Sequence, residues 1–363
     1  MSRRKNNSIF AFVCHLAALA LSVSVNLTLS SYLRAQSGAD SPPQTTTGSG
    51  IEGYEASFPA LGTLVEIKVF SDNADLVGRT VKAVERRTSE IEATLTDYNP
   101  DSETSMLTER AVGESFVSVS PDLWNMLAAS DRWNKLSAGA FDASLGSLTR
   151  QWRALRRTKQ PLTEELRQTA LQHSGWRHVQ LNPTNQSVRF TRDGVRLDFG
   201  AIGKGYVVDE IFKMFEQAGL KQCLVNISGN MRCGDSPPER SGWRIEIAPL
   251  EKGQPILRRL ILANTSIATS GDLWQFTLID GVRHSHILDP RTGQSVLGPI
   301  AATIIAPSAA DADACATAVC VLGPTAGVQL VQSLPHTEAL ILEHSDVSSP
   351  IRYIATAGFA DPK

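Results

Sequence analysis

The sequence predicts an α+β protein with a largely antiparallel sheet core flanked by helices, and three observations predict it. Its 363 residues are 42% hydrophobic, enough to bury a sizeable core. The strand-like segments "CLVNIS", "WRIEIAP", "RRLILA" and "AATIIA" follow one another with few helices between them, which a regular β-α-β alternation does not produce. Helical periods with recognisable caps and breakers occupy the first half and a few later positions.

At the N-terminus, Arg3, Arg4 and Lys5 precede an uncharged, mostly apolar run from Ile9 to Leu29, with small residues near Ala35. Residues 1–35 therefore read as a secretory signal or, given the length of the run, an uncleaved signal anchor. Either way the body is expected outside the cytoplasm, in the periplasm or at the outer face of the cytoplasmic membrane. Residues 36–53 are rich in Gly, Ser, Thr and Pro and read as a flexible linker, leaving a folded body over 54–363. Losing the first 35 residues removes four basic and no acidic side chains, taking the formal charge from −2 to −6, a balance that disfavours nucleic acid.

Within the body, "LVEIKVF" (64–70) alternates apolar Val65, Ile67 and Val69 with Glu66 and Lys68, the period of a half-buried strand. A helix follows, capped by Asp72 or Asn73 and carrying Leu76, Val77, Val84, Ile91 and Leu95 at helical intervals up to the loop "TDYNPDSETS". Ser120-Pro121 starts a second helix, with Leu123, Leu127 and Leu136. Residues 160–180 are charged and helical in character. "VRF" and "VRLDF" flank Arg192-Asp193-Gly194 and predict a hairpin. A helix from about Tyr206 to Gln217 ends at Gly219, and "DADACATAVCVLG" reads as a buried helix stopping before Pro324. Cys223, Cys233, Cys315 and Cys320 lie in apolar segments without a CxxC pattern and are expected as buried thiols.

Three constellations carry possible chemistry. In "LDFGAIGKGYVVDE" (197–210), Gly200, Gly203 and Gly205 crowd Lys204, with Asp198 just upstream. The order matches neither a P-loop nor a dinucleotide fingerprint. Glycines permit close backbone approach, lysine supplies a cation, and the following helix offers free N–H groups to a phosphate; a glycine-rich turn with a solvated lysine is the alternative. Asp313 and Thr317 lie four apart on one helix face, where a carboxylate and a hydroxyl suit a hard cation such as Mg²⁺ better than zinc. The alanines around them equally suit close helix packing. His284 and His286, two apart, would share one side of an extended chain before the turn from Asp289-Pro290 to Gly293.

Taken together, "FPALGT", "TDYNPDSETS", "AFDASLG", "LDFGAIGKGYVVD", "VNISGN", "IATSGD", "HILDPRTG" and "ADACATA" resemble, in order and spacing, the motifs of the ApbE family of FAD:protein FMN transferases, over roughly residues 55–335. The resemblance implies a T-fold-like architecture and an Mg²⁺-dependent transfer of FMN from FAD to a threonine hydroxyl of an acceptor protein in a membrane redox complex, with release of AMP. Carried over by motif, Asp198 and Lys204 would contact the flavin nucleotide. The carbonyl of Ala201 would join Asp313 and Thr317 around Mg²⁺. Leu61, Tyr98, Ala140, Phe141, Asp142 and Ile287 would line the FAD site. Lys204 would also stabilise developing charge, and His286 is the candidate general base, with His284 as fallback. The chain departs from the family pattern at Leu61 (usually Met), Thr108 (usually Asn), and Ser228 and Asn230 (usually Gly-Gly-Asp). FAD hydrolysis to FMN and AMP, or flavin binding without catalysis, are the competing activities.

Overall fold

Alternating side chains build the first hairpin: β1 (Glu52–Ala60) pairs in register with β2 (Thr63–Ser71), so Val65, Ile67 and Val69 point inward while Lys68 stays outside. The computed structural model describes residues 51–158, 162–249, 256–272, 276–279, 282–297, 300–343 and 351–359. The expected signal and nearly all of the linker lie outside the described residues, and the first strand begins two residues before the anticipated start at Tyr54.

The helical first half follows its caps. Asn73 accepts the Leu76 N–H at 2.9 Å and starts α1 (Ala74–Leu95). The loop after it is shorter than expected, because Ser102 caps an additional helix, α2 (Glu103–Arg110). Two turns of helix give too short a period for the pattern to register. Ser120 caps α3 (Pro121–Leu136), with proline in the first turn. Next come α4 (Gly146–Thr158) and α5 (Glu164–Gln172).

The predicted hairpin around Gly194 is not formed. In the small sheet of β3 (Val117–Ser118), β4 (Val179–Asn182) and β5 (Ser187–Phe190), β5 sits between the other two. The turn that matters is at 183–186, where Gln186 takes φ 49°, and "VRLDF" instead runs alongside the start of α4 with a single bridge from Leu145 to Arg196. Two turn-like stretches flank "SVRF", and the pairing went to the earlier one.

After α6 (Gly203–Gln217), which begins three residues before the expected position, the chain is mostly strand: β6 (Cys223–Ile227), β7 (Asn230–Cys233), β8 (Trp243–Ile247), β9 (Arg258–Leu262), β10 (Thr265–Gly271), β11 (Phe276–Ile279), β12 (Val282–Leu288), β13 (Ser295–Leu297) and β14 (Ile300–Ala306). Then come α7 (Ala309–Gln332), β15 (Glu338–Glu343) and β16 (Arg352–Ala355). The buried helix stops before Pro324 as expected, at Gly323 (φ 73°, ψ 175°), and a second helical segment starts there and completes α7, because proline is tolerated in the first turn of that segment.

The main sheet has eight strands in the order β1-β2-β6-β7-β10-β14-β15-β16, every neighbouring pair antiparallel. Helices α6 and α7 cover one face, α6 over β6 and β7, α7 over β10 and β14. On the other face Trp243, Ile245 and Leu260 of the β8–β9 hairpin pack with Ile267 and Leu340. Cys223 belongs to the helix-side core and Cys233 to the opposite one, so these neighbours cannot pair, and all four described cysteines are buried free thiols.

Candidate functional site

The glycine-rich stretch is built first of all for packing. A Cβ at Gly205 would lie 2.6 Å from the carbonyl carbon of Ala309 and 2.7 Å from Cα of Ala310, so only glycine lets the first turn of α6 meet the first turn of α7. None of Gly200, Gly203 and Gly205 takes a positive φ. The close approach brings together residues over a hundred positions apart. The Gly205 N–H donates to Asp313 Oδ2 at 3.1 Å, and Lys204 Nζ lies 3.8 Å from the same oxygen. Asp313 is 3% exposed, and burial raises its pKa against the opposing pull of Lys204 and the Gly205 N–H.

One face of α7 then continues to Thr317, whose hydroxyl meets Ser270 Oγ at 3.0 Å. If Thr317 donates in this contact, its lone pairs are left for another partner. Helix α6 begins after Ile202 with no side-chain cap; in its first turn the Gly203 N–H donates to the Phe199 carbonyl at 2.7 Å and the Gly205 N–H to Asp313.

A chain of contacts leads outward from Lys204. Lys204 Nζ donates to the Gly200 carbonyl at 3.1 Å, and the Gly200 N–H donates to Asp198 Oδ1 at 2.8 Å. Asp198 Oδ2 accepts from Arg153 at 2.8 Å, and the same guanidinium reaches Asp97 Oδ2 at 2.5 Å and lies over the Tyr98 ring, 4.6 Å from its centroid. Tyr98 itself is 78% exposed, a flat aromatic surface at the rim. Asp97 and Arg153 escaped the sequence reading. Their partners are 56 and 45 residues away, and neither stands out in its own segment.

The remaining candidates are placed differently. Ala140 and Phe141 are buried, with the Phe141 carbonyl held by Asn134 Nδ2 at 2.8 Å. Asp142 accepts from the Ser144 amide and hydroxyl and, at 2.8 Å, from the Trp176 N–H, so its carboxylate is spent tying this loop to the turn before β4. The stretch still adjoins the site, because the Asp198 N–H donates to the Ala143 carbonyl at 2.8 Å. Leu61 occupies the β1–β2 turn at φ 54°, partly buried, beside Gly62 at φ 69°. Ile287 points into the helix-side core.

His284 and His286 lie on the same, less buried side of β12, with Ser285 and Ile287 turned inward, but they differ in exposure. His284 is half-buried, its ring 5.8 Å from that of Trp152 and its Nδ1 enclosed without a hydrogen-bond partner. His286 is exposed on a strand that packs against α7. The strand is anchored by Arg283, which reaches the fully buried Asp272 at 2.8 Å and lies over Phe276.

Asn230, where the family pattern has an aspartate, is 2% exposed; its Nδ2 donates to the Ile227 carbonyl at 3.3 Å and its Oδ1 has no partner. It pairs with Ile227, a helix-side residue, and so faces α6 and α7. Two residues on, Arg232 bonds the Pro307 carbonyl just before α7, while Ser270 on β10 meets Thr317. Asn230 lies between those two levels, beneath the α6–α7 seam.

Asp313 and Thr317 present a buried carboxylate and a hydroxyl on one face of α7, hard oxygens of the kind that fit Mg²⁺. Among the described residues no cluster of three His, Cys, Asp or Glu side chains could hold a metal unaided.

The ApbE family model matches residues 61–341. The FAD:protein FMN transferase of Treponema pallidum is 30% identical over 306 residues, covering 80% of this chain and 84% of that protein. That of Haemophilus influenzae is 27% identical over 282 residues, covering 75% and 81%. The ApbE protein of Thermotoga maritima superposes with a TM-score of 0.74 at 26% identity, over 83% of this chain and 97% of that one. The apo flavinyl transferase ApbE of Pseudomonas stutzeri gives 0.74 at 25%, over 85% and 95%. With its motifs in order on the matching antiparallel fold, the chain belongs to the ApbE family.

Proposed function

We propose that the chain transfers FMN from FAD to a threonine hydroxyl of an extracytoplasmic acceptor protein, with Mg²⁺ bound and AMP released. Membership of a family whose curated relatives are FAD:protein FMN transferases supports flavin transfer. The observation that carries the reading to this site is the meeting of Lys204, the first turn of α6 and the buried Asp313 at one corner, a cation and a helix N-terminus beside a carboxylate.

In this reading Asp313, Thr317 and the Ala201 carbonyl would hold Mg²⁺, which when bound neutralises charge on the pyrophosphate. Lys204 stabilises the charge that develops as the acceptor oxygen bonds the FMN phosphorus and the bond from that phosphorus to the bridging oxygen breaks, leaving with AMP. His286 takes the threonine proton; its exposure, against the enclosed and stacked His284, favours it as the base that an incoming protein can reach. Tyr98 offers its open ring to a flavin or adenine face, and Arg153 holds Tyr98 and Asp198 in place. The composition of residues 1–35 supports export and a membrane tether.

The test is incubation with FAD, Mg²⁺ and a threonine-bearing acceptor domain, read by intact acceptor mass and AMP release. The expected result is an acceptor carrying one FMN phosphoester, reduced by roughly 10²–10³-fold in rate for Asp313→Ala. Release of free FMN and AMP with no acceptor modified in any trial would replace transfer by FAD hydrolysis, and intact bound FAD would reduce the protein to a flavin binder.

A further inference from the structure

A pocket opens between α2, α4 and the segment at 196–197, with Asp97, Ser105, Thr108, Arg150 and Arg196 in its wall. Neither guanidinium makes a hydrogen bond or ion pair with protein among the described residues, and the hydroxyls of Ser105 and Thr108 likewise take no protein partner. Arg153, on the same helix, takes both Asp97 and Asp198, so that Asp97, although it lines the pocket, forms no ion pair with Arg150 or Arg196. Glu109 and Asp97 are the acidic groups that act on Arg196, neither of them bonded to it.

The two arginines are held together by the backbone. The Gly146 N–H donates to the Arg196 carbonyl at 2.9 Å, and a Cβ at Gly146 would lie 2.7 Å from that of Arg196, so glycine clamps this strand to the start of α4. Arg150 follows one turn along the helix. Burial and then Arg150 push the Arg196 pKa down, the mark of two like charges sharing a confined space. Guanidinium nevertheless stays protonated, so the repulsion persists until an anion relieves it.

We propose that this pocket is a phosphate-recognising subsite, separate from the corner at Lys204, whose ligand is the dianionic phosphate of a phosphomonoester or inorganic phosphate. Two forked guanidinium groups and two hydroxyls supply the donors that such oxygens require. Asp97 connects the subsite to the cleft through Arg153, so the ligand sits one residue removed from Asp198 and Tyr98. The proposal stands on the pocket alone and does not depend on the transfer reaction.

The test is calorimetric titration of the full-length protein at low salt with inorganic phosphate, with AMP and with adenosine. Saturable binding of phosphate or AMP, but not adenosine, is expected, weakened at least about tenfold in Arg150→Ala and in Arg150→Ala/Arg196→Ala. AMP binding much more tightly than phosphate and displacing it identifies a nucleotide source; equal affinity identifies the bare phosphate. Thr108→Val serves as a milder variant should the double replacement fail to fold, and is expected to weaken binding by a few-fold. Arg150 is exposed, so its single replacement should leave the ligand-free melting temperature unchanged or raised by relief of repulsion. Absence of saturable binding, or binding insensitive to Arg150 and Thr108 but lost in Lys204→Ala, overturns the subsite.

Discussion

Gly205 shows how one missing methyl group can set a site. Gly205→Ala places a carbon against the backbone of Ala309 and Ala310, where no side chain can move aside. The expected result is a loss of about 1–3 kcal/mol in urea unfolding together with weaker FAD binding, because the Gly205 N–H and Lys204 both retreat from Asp313. Unchanged stability would mean that the helices separate without cost. One turn along α6, Asp209 accepts the Ala309 and Ala310 N–H groups at 2.8 and 2.9 Å, and burial pushes its pKa up to about 6 despite them. An acid whose folded pKa exceeds its unfolded value binds protons more tightly when folded. Its contribution to stability is therefore greatest near pH 4 and is lost as pH rises through 6. The stability gap between the wild type and Asp209→Asn should narrow over that interval in chemical denaturation. A widening gap would show that the ionised carboxylate at the start of α7 is the favoured form. At this scale Lys204 and Asp313 were legible because their motifs are local; Asp97 and Arg153 were not, because only the fold brings them to Asp198 and Tyr98.

Among the elements, β2, β6 and β14 of the main sheet were legible in "LVEIKVF", "CLVNIS" and "AATIIA" while β1, β7, β10, β15 and β16 were not, and the caps at Asn73 and Ser120 located their helices. The two-turn α2 and the β4–β5 pairing were not, since a short helix has too few periods and competing turns leave pairing undetermined by local sequence. Two tight turns lie side by side at one end of the sheet: Leu61-Gly62 and Ser228-Gly229, all four residues at positive φ, joined by Thr63 and Ser228 hydroxyls 2.5 Å apart. Leucine is costly in this conformation and asparagine far less so. Leu61→Asn should thus stabilise the ligand-free protein by up to about 1 kcal/mol in thermal unfolding. It should also weaken FAD affinity measured by fluorescence quenching, if Leu61 is kept for its apolar contact with the ligand. Stabilisation with undiminished affinity would remove Leu61 from the FAD site.

At the scale of the whole molecule, the candidate site draws on side chains from Asp97 to Thr317, all gathered where α6 and α7 cross the helix-covered face of one sheet. The charge at that seam is nearly balanced, since the Asp313 carboxylate already has Lys204 at 3.8 Å and Asn230 contributes none. A divalent cation entering alone would find one shared carboxylate, whereas a pyrophosphate brings the missing negative charge with it. Mg²⁺ alone should therefore leave the melting temperature almost unmoved, and Mg²⁺ with FAD should raise it by several degrees at saturating concentrations. Because coupling is reciprocal, the factor by which Mg²⁺ tightens FAD binding must equal the factor by which FAD tightens Mg²⁺ binding. Asn230→Asp supplies the control. A buried, unpaired carboxylate should lower the metal-free melting temperature, and Mg²⁺ alone should then restore it, since the new charge lies beneath the same seam. A wild-type protein that binds Mg²⁺ equally well with and without FAD would show that the seam carries enough negative charge of its own, and the cation would then precede the nucleotide.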